Sequence, residues 1–285
     1  MSLPKHGSNP KYLYKKLEIE MPEKIIDFSV NLNPLGPPQI LFEQWGSLKE
    51  EIIDYPDPFG EKLRNKLSSK EGVDAGNILL ANGAAELIQL VAIYLQGKNI
   101  ALFQPTFSEY KRMTSAYNAQ LINVSIDKLK DKEYLKKLAK KQDAIFLCHP
   151  NNPTGESYEQ SRLEDLLAIC EQNKTYLIVD EAFYDFSDEI YSLLAKVKES
   201  TYLIILRSAT KMFSIAGIRL GYLFAEKKLV KQLRSLQSYW SVNAVALRIG
   251  EFIVDEEDFV KETQDYIRKV QQKIFPILKN QGFLL

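Results

Sequence analysis

An α/β fold with a mostly parallel sheet is predicted by two features of the sequence. Short apolar runs are nearly continuous in hydrophobicity, which is typical of strands that helices cover on both faces. Amphipathic stretches separate them, among them Ala85–Gln96, Lys128–Lys140 and Glu159–Asn173. Because strand and helix patterns alternate, we expect helices to connect neighbouring parallel strands. The apolar runs are Asn77–Ala81, Ile100–Phe103, Leu121–Val124, Ala144–Cys148, Tyr176–Val179, Tyr202–Leu206 and Gly221–Phe224.

The chain divides into three predicted segments. Residues 1–38 are rich in Pro, Asn and Gly and predict an extended N-terminal arm. Residues 39–235 carry the alternating strand and helix patterns and predict a large domain. Residues 236–285 predict the start of a smaller domain, because the pattern is helical with alternating charges as far as Asn280.

Composition and charge exclude several classes of protein. The chain has 285 residues, is 45% hydrophobic and 26% charged, and carries a formal net charge of +0, which is ordinary for a globular protein. Without a basic excess, we expect no nucleic-acid or membrane partner. Cys148 and Cys170 have no metal-type spacing, so we predict no metal site. The N-terminus has no apolar signal core, and a cytoplasmic location is the default expectation.

Polar and glycine-containing clusters follow the predicted strands, one after another. In open α/β sheets, ligands bind beyond the carboxyl ends of the strands, so these clusters predict a single site. The clusters are Asn82–Glu86, Pro105–Tyr110, His149–Gly155, Asp180–Phe183 and Arg207–Lys211.

These clusters contain donors for a phosphate. Gly83, Ala84 and Ala85 open a helix whose free N–H groups and positive dipole end suit an anion. Hydroxyl and guanidinium donors would add to them; they are Ser208, Thr210 and Arg219.

The same clusters suit an aromatic ligand with an electrophilic carbon. Phe107 could stack on a ring, Asp180 could pair with a protonated ring nitrogen, and Lys211 could supply an imine-forming amine. Asp180 and Glu181 could instead cap a helix N-terminus, which we expect of Glu181 alone.

The motifs, taken together, resemble the pyridoxal-phosphate (PLP) site of class I/II aminotransferases. Their order and spacing match across roughly residues 25 to 245; they are Asn82-Gly-Ala-Ala-Glu86, Asn151-Asn-Pro-Thr-Gly155, Asp180-Glu-Ala-Phe183, Ser208-Ala-Thr-Lys211 and Gly217-Ile-Arg-Leu-Gly-Tyr222. The resemblance implies the PLP-dependent transferase fold of type I, with a three-layer α/β/α large domain and a seven-stranded, mostly parallel sheet. Within the superfamily the chain is most similar to threonine-phosphate decarboxylases and histidinol-phosphate aminotransferases.

The resemblance implies a role for each motif residue. Lys211 would hold PLP as a Schiff base and shuttle protons, and Asp180 would keep the ring nitrogen protonated. Asn152 would donate to the ring's phenolate oxygen, and Phe107 would stack on the ring. Phe183 stands where many aminotransferases have Tyr, as it does in the threonine-phosphate decarboxylase group. The phosphate would lie against Gly83, Ala84, Ala85, Ser208 and Arg219, with Thr210 a further donor.

Substrate and partner contacts are implied in the same way. Tyr55, in Tyr-Pro-Asp-Pro58, would reach the phosphate of the neighbouring subunit's cofactor, which implies a homodimer. His6, Asn31, Asn33 and Asn152 would contact a phosphorylated amino acid substrate. For His6, a disordered terminus is an equal alternative.

The sequence leaves the reaction open among three hypotheses. The first is a lyase that decarboxylates threonine phosphate, or a close phosphoamino acid, in cobalamin biosynthesis. The second is a histidinol-phosphate-type aminotransferase that uses glutamate, and the third is a non-catalytic PLP-binding module. Family members supply an arginine for the substrate α-carboxylate from the small domain, and no residue of this chain can be assigned that role. We therefore expect an incomplete small domain.

Overall fold

A computed structural model describes Gly7 and residues 9–283. Every apolar run predicted as a strand forms one, with ends shifted by at most two residues. A seven-stranded sheet results, as predicted. The strands are β1 (Ile78–Ala81), β2 (Asn99–Gln104), β3 (Gln120–Ser125), β4 (Ala144–Cys148), β5 (Tyr176–Asp180), β6 (Leu203–Ser208) and β7 (Gly221–Ala225).

The strands lie in the order β1-β7-β6-β5-β4-β2-β3. Neighbours from β3 to β6 pair in parallel, which confirms the mostly parallel sheet. β7 runs antiparallel to both β6 and β1, a direction that the sequence did not predict. Between β6 and β7 the chain forms only a short helix, Ala209–Met212, and antiparallel neighbours need no long crossover.

Helices fill the segments between the strands. The predicted helix over Lys128–Lys140 is interrupted at Asp131, whose carboxylate accepts from the Tyr134 N–H and caps the helix that follows. The α-helices are α1 (Pro10–Leu17), α2 (Gln39–Gln44), α3 (Glu61–Glu71), α4 (Ala84–Tyr94), α5 (Ser108–Ala116), α6 (Lys132–Ala139), α7 (Gln160–Asn173), α8 (Ala209–Met212), α9 (Lys227–Ser235), α10 (Ala244–Ile253) and α11 (Glu257–Asn280). The 3-10 helices are Trp45–Ile52, Ala75–Asn77, Ile126–Lys130, Tyr184–Phe186 and Leu193–Lys198.

Two apolar clusters cover the two faces of the sheet, which confirms the three-layer arrangement. Successive side chains of a strand point to opposite faces. Accordingly Ile178 and Ile204 lie in one cluster, whereas Val179 and Ile205 lie in the other. The prediction that both faces of every strand are covered is wrong for β3, an edge strand of which only Val124 is buried.

Most of the chain after β7 is helical and forms α9, α10 and α11, which confirms the helical pattern predicted as far as Asn280. The division of the chain at residues 38 and 235 stays a prediction. Among the residues that the structure describes, none of the helices has the combination of length and apolar character that spanning a bilayer requires.

Candidate cofactor site

A cavity of about 140 Å³ opens at the carboxyl ends of β4, β5 and β6. Every residue predicted to contact the cofactor lines it, except Gly83 and Tyr55. The lining residues are Ala84, Ala85, Ile88, Phe107, Tyr110, Cys148, Asn152, Asp180, Ala182, Phe183, Ser208, Thr210, Lys211 and Arg219. The loops therefore converge on a single cavity, as strand order and parallel direction require.

One end of the cavity is built to bind an anion. α4 begins at Ala84, and in the described part of the chain no side-chain cap bonds to its first N–H groups. Gly83, with φ +78, precedes it, and a Cβ on Gly83 would stand 2.6 Å from Arg219 Nη2. Glycine thus lets the guanidinium lie directly against the helix N-terminus. The helix dipole and the cation both favour negative charge there.

Arg219 and two hydroxyls complete this end of the cavity. Arg219 has φ 66, a left-handed conformation that is uncommon for a non-glycine residue. Its Nη1 donates to the Ala216 carbonyl at 3.1 Å, and within the described part of the chain no carboxylate forms an ion pair with it. The Ser208 and Thr210 hydroxyls are 2.7 Å apart. Because one of the two hydroxyls donates to the other, the second hydroxyl and the remaining guanidinium N–H groups are the donors that match the oxygens of a phosphate.

Gly221 allows the sheet to approach this anion site. It is the first residue of β7, and a Cβ on it would lie 2.7 Å from the Ala84 nitrogen and 2.8 Å from the Gly83 carbonyl carbon. Any larger residue would push against backbone rather than against a side chain. The start of α4 therefore depends on glycine at position 221.

Asp180 ends β5 and is only 3% exposed. Its Oδ2 accepts a hydrogen bond from the Tyr110 hydroxyl at 2.6 Å, and its Oδ1 accepts one from the Ala182 N–H at 3.0 Å. Burial raises the pKa of this carboxyl, while the two donors and the Lys211 ammonium oppose the rise. The carboxylate is held rigidly and faces the cavity.

Lys211 lies in α8, directly after β6, and its amine faces the same cavity. Burial lowers the pKa of this amine, and the nearby Arg219 cation lowers it further, with Asp180 acting in the opposite direction. A larger share of neutral amine is available at neutral pH than for an exposed lysine. Neutral amine is the nucleophilic form.

The aromatic and amide side chains that were predicted to surround a ring also line the cavity. Phe107 directly precedes α5, Asn152 follows β4, and Phe183 follows β5. The Asn152 N–H donates to Cys148 Sγ at 3.4 Å, which ties its loop to the strand end. The structure thus brings these three residues together with Lys211.

Sequence reasoning missed Tyr110 and Cys148 as cavity residues. Tyr110 lies three residues after Phe107, and residues three apart share one face of a helix. That spacing within Pro105–Tyr110 was a usable signal. Cys148 ends a buried strand, where a thiol is indistinguishable in pattern from any small apolar residue.

Of the predicted substrate and partner contacts, Asn152 lines this cavity, whereas Asn31, Asn33 and Tyr55 do not. Tyr55 is 79% exposed, and its ring lies 4.6 Å from that of Trp240. Asn33 is buried, with its amide nitrogen donating to the Met212 carbonyl and the Thr263 hydroxyl, so its geometry does not support the predicted substrate contact. Asn31 is exposed, and His6 lies outside the described residues.

Glu181 does not cap a helix, and that prediction is wrong. Its carboxylate lies on the face of the sheet opposite Asp180, where Arg207 Nε donates to it at 3.0 Å and Ser192 Oγ at 2.7 Å. Arg207 also pairs with Glu71 at 2.9 Å. A buried charge requires such compensation, and the ion pair supplies it.

Comparison with known proteins adds the following. The profile of the family described as aminotransferase class I and II matches residues 23–284. Threonine-phosphate decarboxylase of Salmonella typhimurium is 32% identical over 285 aligned residues, which cover 96% of this chain and 76% of that protein. The adenosylcobalamin biosynthesis bifunctional protein CobDQ of Leptospira interrogans is 32% identical across 100% of this chain, which spans only 33% of that protein.

One solved structure agrees closely in fold. The crystal structure of histidinol-phosphate aminotransferase from Clostridium acetobutylicum superposes with a TM-score of 0.84 at 25% identity. The match covers 90% of this chain and 77% of that one.

Proposed function

The chain belongs to the aminotransferase class I and II family, and from this premise we propose that it is a PLP enzyme that acts on a phosphorylated amino acid, first of all a threonine-phosphate decarboxylase. The observation that carries the proposal is the shared cavity. It presents an amine, a buried carboxylate and an uncompensated anion site to the same space.

The residues present fit PLP. The N–H groups of Ala84 and Ala85, with Ser208, Thr210 and Arg219, would hold the phosphate. Asp180 would accept from the protonated ring nitrogen, Phe107 would cover the ring, and Asn152 would donate to the ring oxygen. When bound, PLP withdraws electrons from the substrate's α-carbon and so weakens the bonds to that carbon.

Lys211 has the properties of the residue that captures the cofactor and then moves a proton. Its lowered pKa supplies neutral amine at neutral pH. Once the substrate amine has displaced it, the same Nζ would be placed to deliver a proton to the α-carbon that has lost CO₂, or, in the aminotransferase alternative, to take the α-proton. Arg219 would keep the amine pKa low throughout, because a cation beside it disfavours protonation.

Decarboxylation is favoured over transamination by two observations. The relatives in Salmonella typhimurium and Leptospira interrogans carry names that belong to phosphothreonine and adenosylcobalamin chemistry. Phe183 also faces the cavity without a hydroxyl, as expected for the decarboxylase group. Synthesis of a cobalamin precursor is the corresponding pathway assignment.

A histidinol-phosphate-type aminotransferase is the second candidate. It is favoured by the fold match to the Clostridium acetobutylicum enzyme. Both candidates share the cofactor site, and the orientation of the substrate decides which bond breaks. A PLP-binding module without catalysis is the third.

We further propose a homodimer in which Tyr55 reaches the neighbouring subunit's phosphate. Its high exposure and its distance from its own chain's cavity support this arrangement. A cytoplasmic location stays a prediction of the sequence.

A single experiment separates the three candidates. The purified chain is incubated with PLP and either O-phosphothreonine or histidinol phosphate with 2-oxoglutarate, and CO₂ and glutamate are measured. CO₂ from phosphothreonine alone supports the decarboxylase, whereas glutamate formation supports the aminotransferase. PLP binding without either product supports the non-catalytic PLP-binding module. Failure to bind PLP contradicts the proposal as a whole.

A further inference from the structure

We propose that Tyr110 is a positioning residue for the cofactor's ring nitrogen, because its hydroxyl holds the Asp180 carboxylate in the orientation and the ionised form that a protonated ring nitrogen requires. The inference rests on the proposed function and deepens it.

The geometry of the pair is specific. Tyr110 is 1% exposed, and its hydroxyl lies 2.6 Å from Asp180 Oδ2, while the Ala182 N–H holds Oδ1. Each oxygen therefore has a donor on the protein side and keeps a free lone pair. With both oxygens held, the carboxylate cannot rotate, and its remaining lone pairs stay aimed at one place.

The surroundings of Tyr110 fix the direction of its hydroxyl. Its ring makes an edge contact with Phe107, with centroids 5.7 Å apart, and packs against Phe146 at 5.4 Å. The Thr114 hydroxyl donates to the Tyr110 carbonyl at 2.6 Å and so ties the residue to the next turn of α5. The start of α5 thereby positions two residues. Phe107 would cover the face of the cofactor ring, and Tyr110 holds Asp180, which would pair with the ring nitrogen.

The ionised form of Asp180 needs this donor. Burial disfavours a carboxylate, and only charges and hydrogen bonds can oppose it. The titratable groups that face Asp180 are Tyr110 from α5, Cys148 from β4 and Lys211 from α8. Burial raises the pKa of the Cys148 thiol to about 12, so this group stays neutral. Tyr110 is thus the neutral side-chain donor that stabilises the negative charge directly.

Tyr110→Phe tests the proposal, and Tyr158→Phe is its matched control. Tyr158 is also buried and stacks on His149, and its hydroxyl has no hydrogen-bond partner among the described residues. We expect the dissociation constant for PLP to rise on the order of tenfold in Tyr110→Phe, as loss of a hydrogen bond to a charged group predicts. In Tyr158→Phe it should change by less than about twofold, since no bond is lost.

The pH profile of PLP affinity provides a second readout. Removing a donor to a carboxylate raises its pKa, so Asp180 should protonate at higher pH in Tyr110→Phe. The acidic limb of the affinity profile should therefore move to higher pH in this variant and stay in place in Tyr158→Phe. A purely structural role would lower affinity equally at every pH.

Two further measurements test the proposal even if Tyr110→Phe by itself folds poorly. In an Asp180→Asn background the same Tyr110 substitution should change PLP affinity by less than about twofold, because the charge is absent. Infrared difference spectra of the wild-type protein against Asp180→Asn, both without PLP, should show an ionised carboxylate at neutral pH.

Different results would overturn different claims. Equal effects of Tyr110→Phe and Tyr158→Phe, or a protonated Asp180 in the infrared spectrum, would overturn the role of Tyr110 and leave the proposed function standing. A wild-type protein that does not bind PLP would overturn the proposed function itself.

Discussion

Gly221 and Ala84 approach so closely that a Cβ on the glycine would stand 2.7 Å from the alanine nitrogen. One belongs to β7 and the other begins α4, so this contact sets how the helix N-terminus meets the sheet. The anion site lies at that junction.

Gly221→Ala should therefore weaken PLP binding. The added methyl meets backbone on two sides, so the start of α4 or the start of β7 must shift to admit it. We expect affinity to fall on the order of tenfold, the equivalent of one good phosphate hydrogen bond. Gly217→Ala is the control, because nothing lies within 4 Å of a Cβ at that position. PLP titrations of both variants measure the two affinities. Equal affinities would contradict the role of the contact between Gly221 and Ala84.

Lys211→Ala should abolish covalent capture of PLP. Borohydride treatment in the presence of PLP should label the wild-type chain at Lys211 permanently and leave the variant unlabelled, as mass spectrometry would report. Activity should fall by at least about 100-fold, because the proton-transferring amine is also lost. Lys137→Ala, at an exposed lysine of α6, should behave as wild type. Labelling at another lysine would refute the assignment.

Arg219→Gln should move the pH at which Lys211 becomes reactive. In the wild type, burial and then the Arg219 cation lower the pKa of the amine. Removing the cation leaves burial as the lowering effect and Asp180 as the opposing one, so the pKa rises and neutral amine appears at higher pH. The rate of imine formation with pyridoxal, which lacks the phosphate that Arg219 would bind, should show its midpoint at higher pH in the variant. Arg162→Gln, in an exposed pair with Glu159, should leave the midpoint unchanged.

Glu181→Gln should destabilise the fold strongly without changing the lining of the cavity. The substitution leaves Arg207 paired with Glu71 alone and removes one charge-assisted hydrogen bond, which costs roughly 1.5–3 kcal/mol. Glu159→Gln, in an exposed pair, should cost less than about 1 kcal/mol. Urea unfolding measures both free energies. A similar small loss in the two variants would contradict the importance of the buried network.

The sequence predicted the strands well because their hydrophobic runs are short and nearly continuous. It could not predict the antiparallel direction of β7, since hydrophobicity carries no sign of direction. It also could not distinguish β3, at the edge, from the buried strands, because Leu121, Ile122 and Val124 are apolar in either setting. Whether a strand lies at the edge or in the middle of the sheet depends on the topology, and the local hydrophobic pattern carries no information on topology.

Most of the candidate site was predictable because its residues occur in motifs at strand ends. Lys211, Asp180 and Arg219 are examples, and each lines the cavity. Tyr110 was missed because a buried tyrosine in a helix has the pattern of a core residue. The bonds from the Asn33 amide to Met212 and Thr263 were not predictable, because nothing in its motif points to residues so far along the chain.

Asp180 and Glu181 are adjacent in the chain yet belong to opposite sides of the sheet, one toward the cavity and the other toward Arg207. Because the strand alternates with a period of two, sliding β5 by a single position would exchange the two acids. The composition and charge of the chain would be unchanged. The longer Glu181 side chain would then enter the cavity, and the shorter Asp180 side chain would have to reach Arg207.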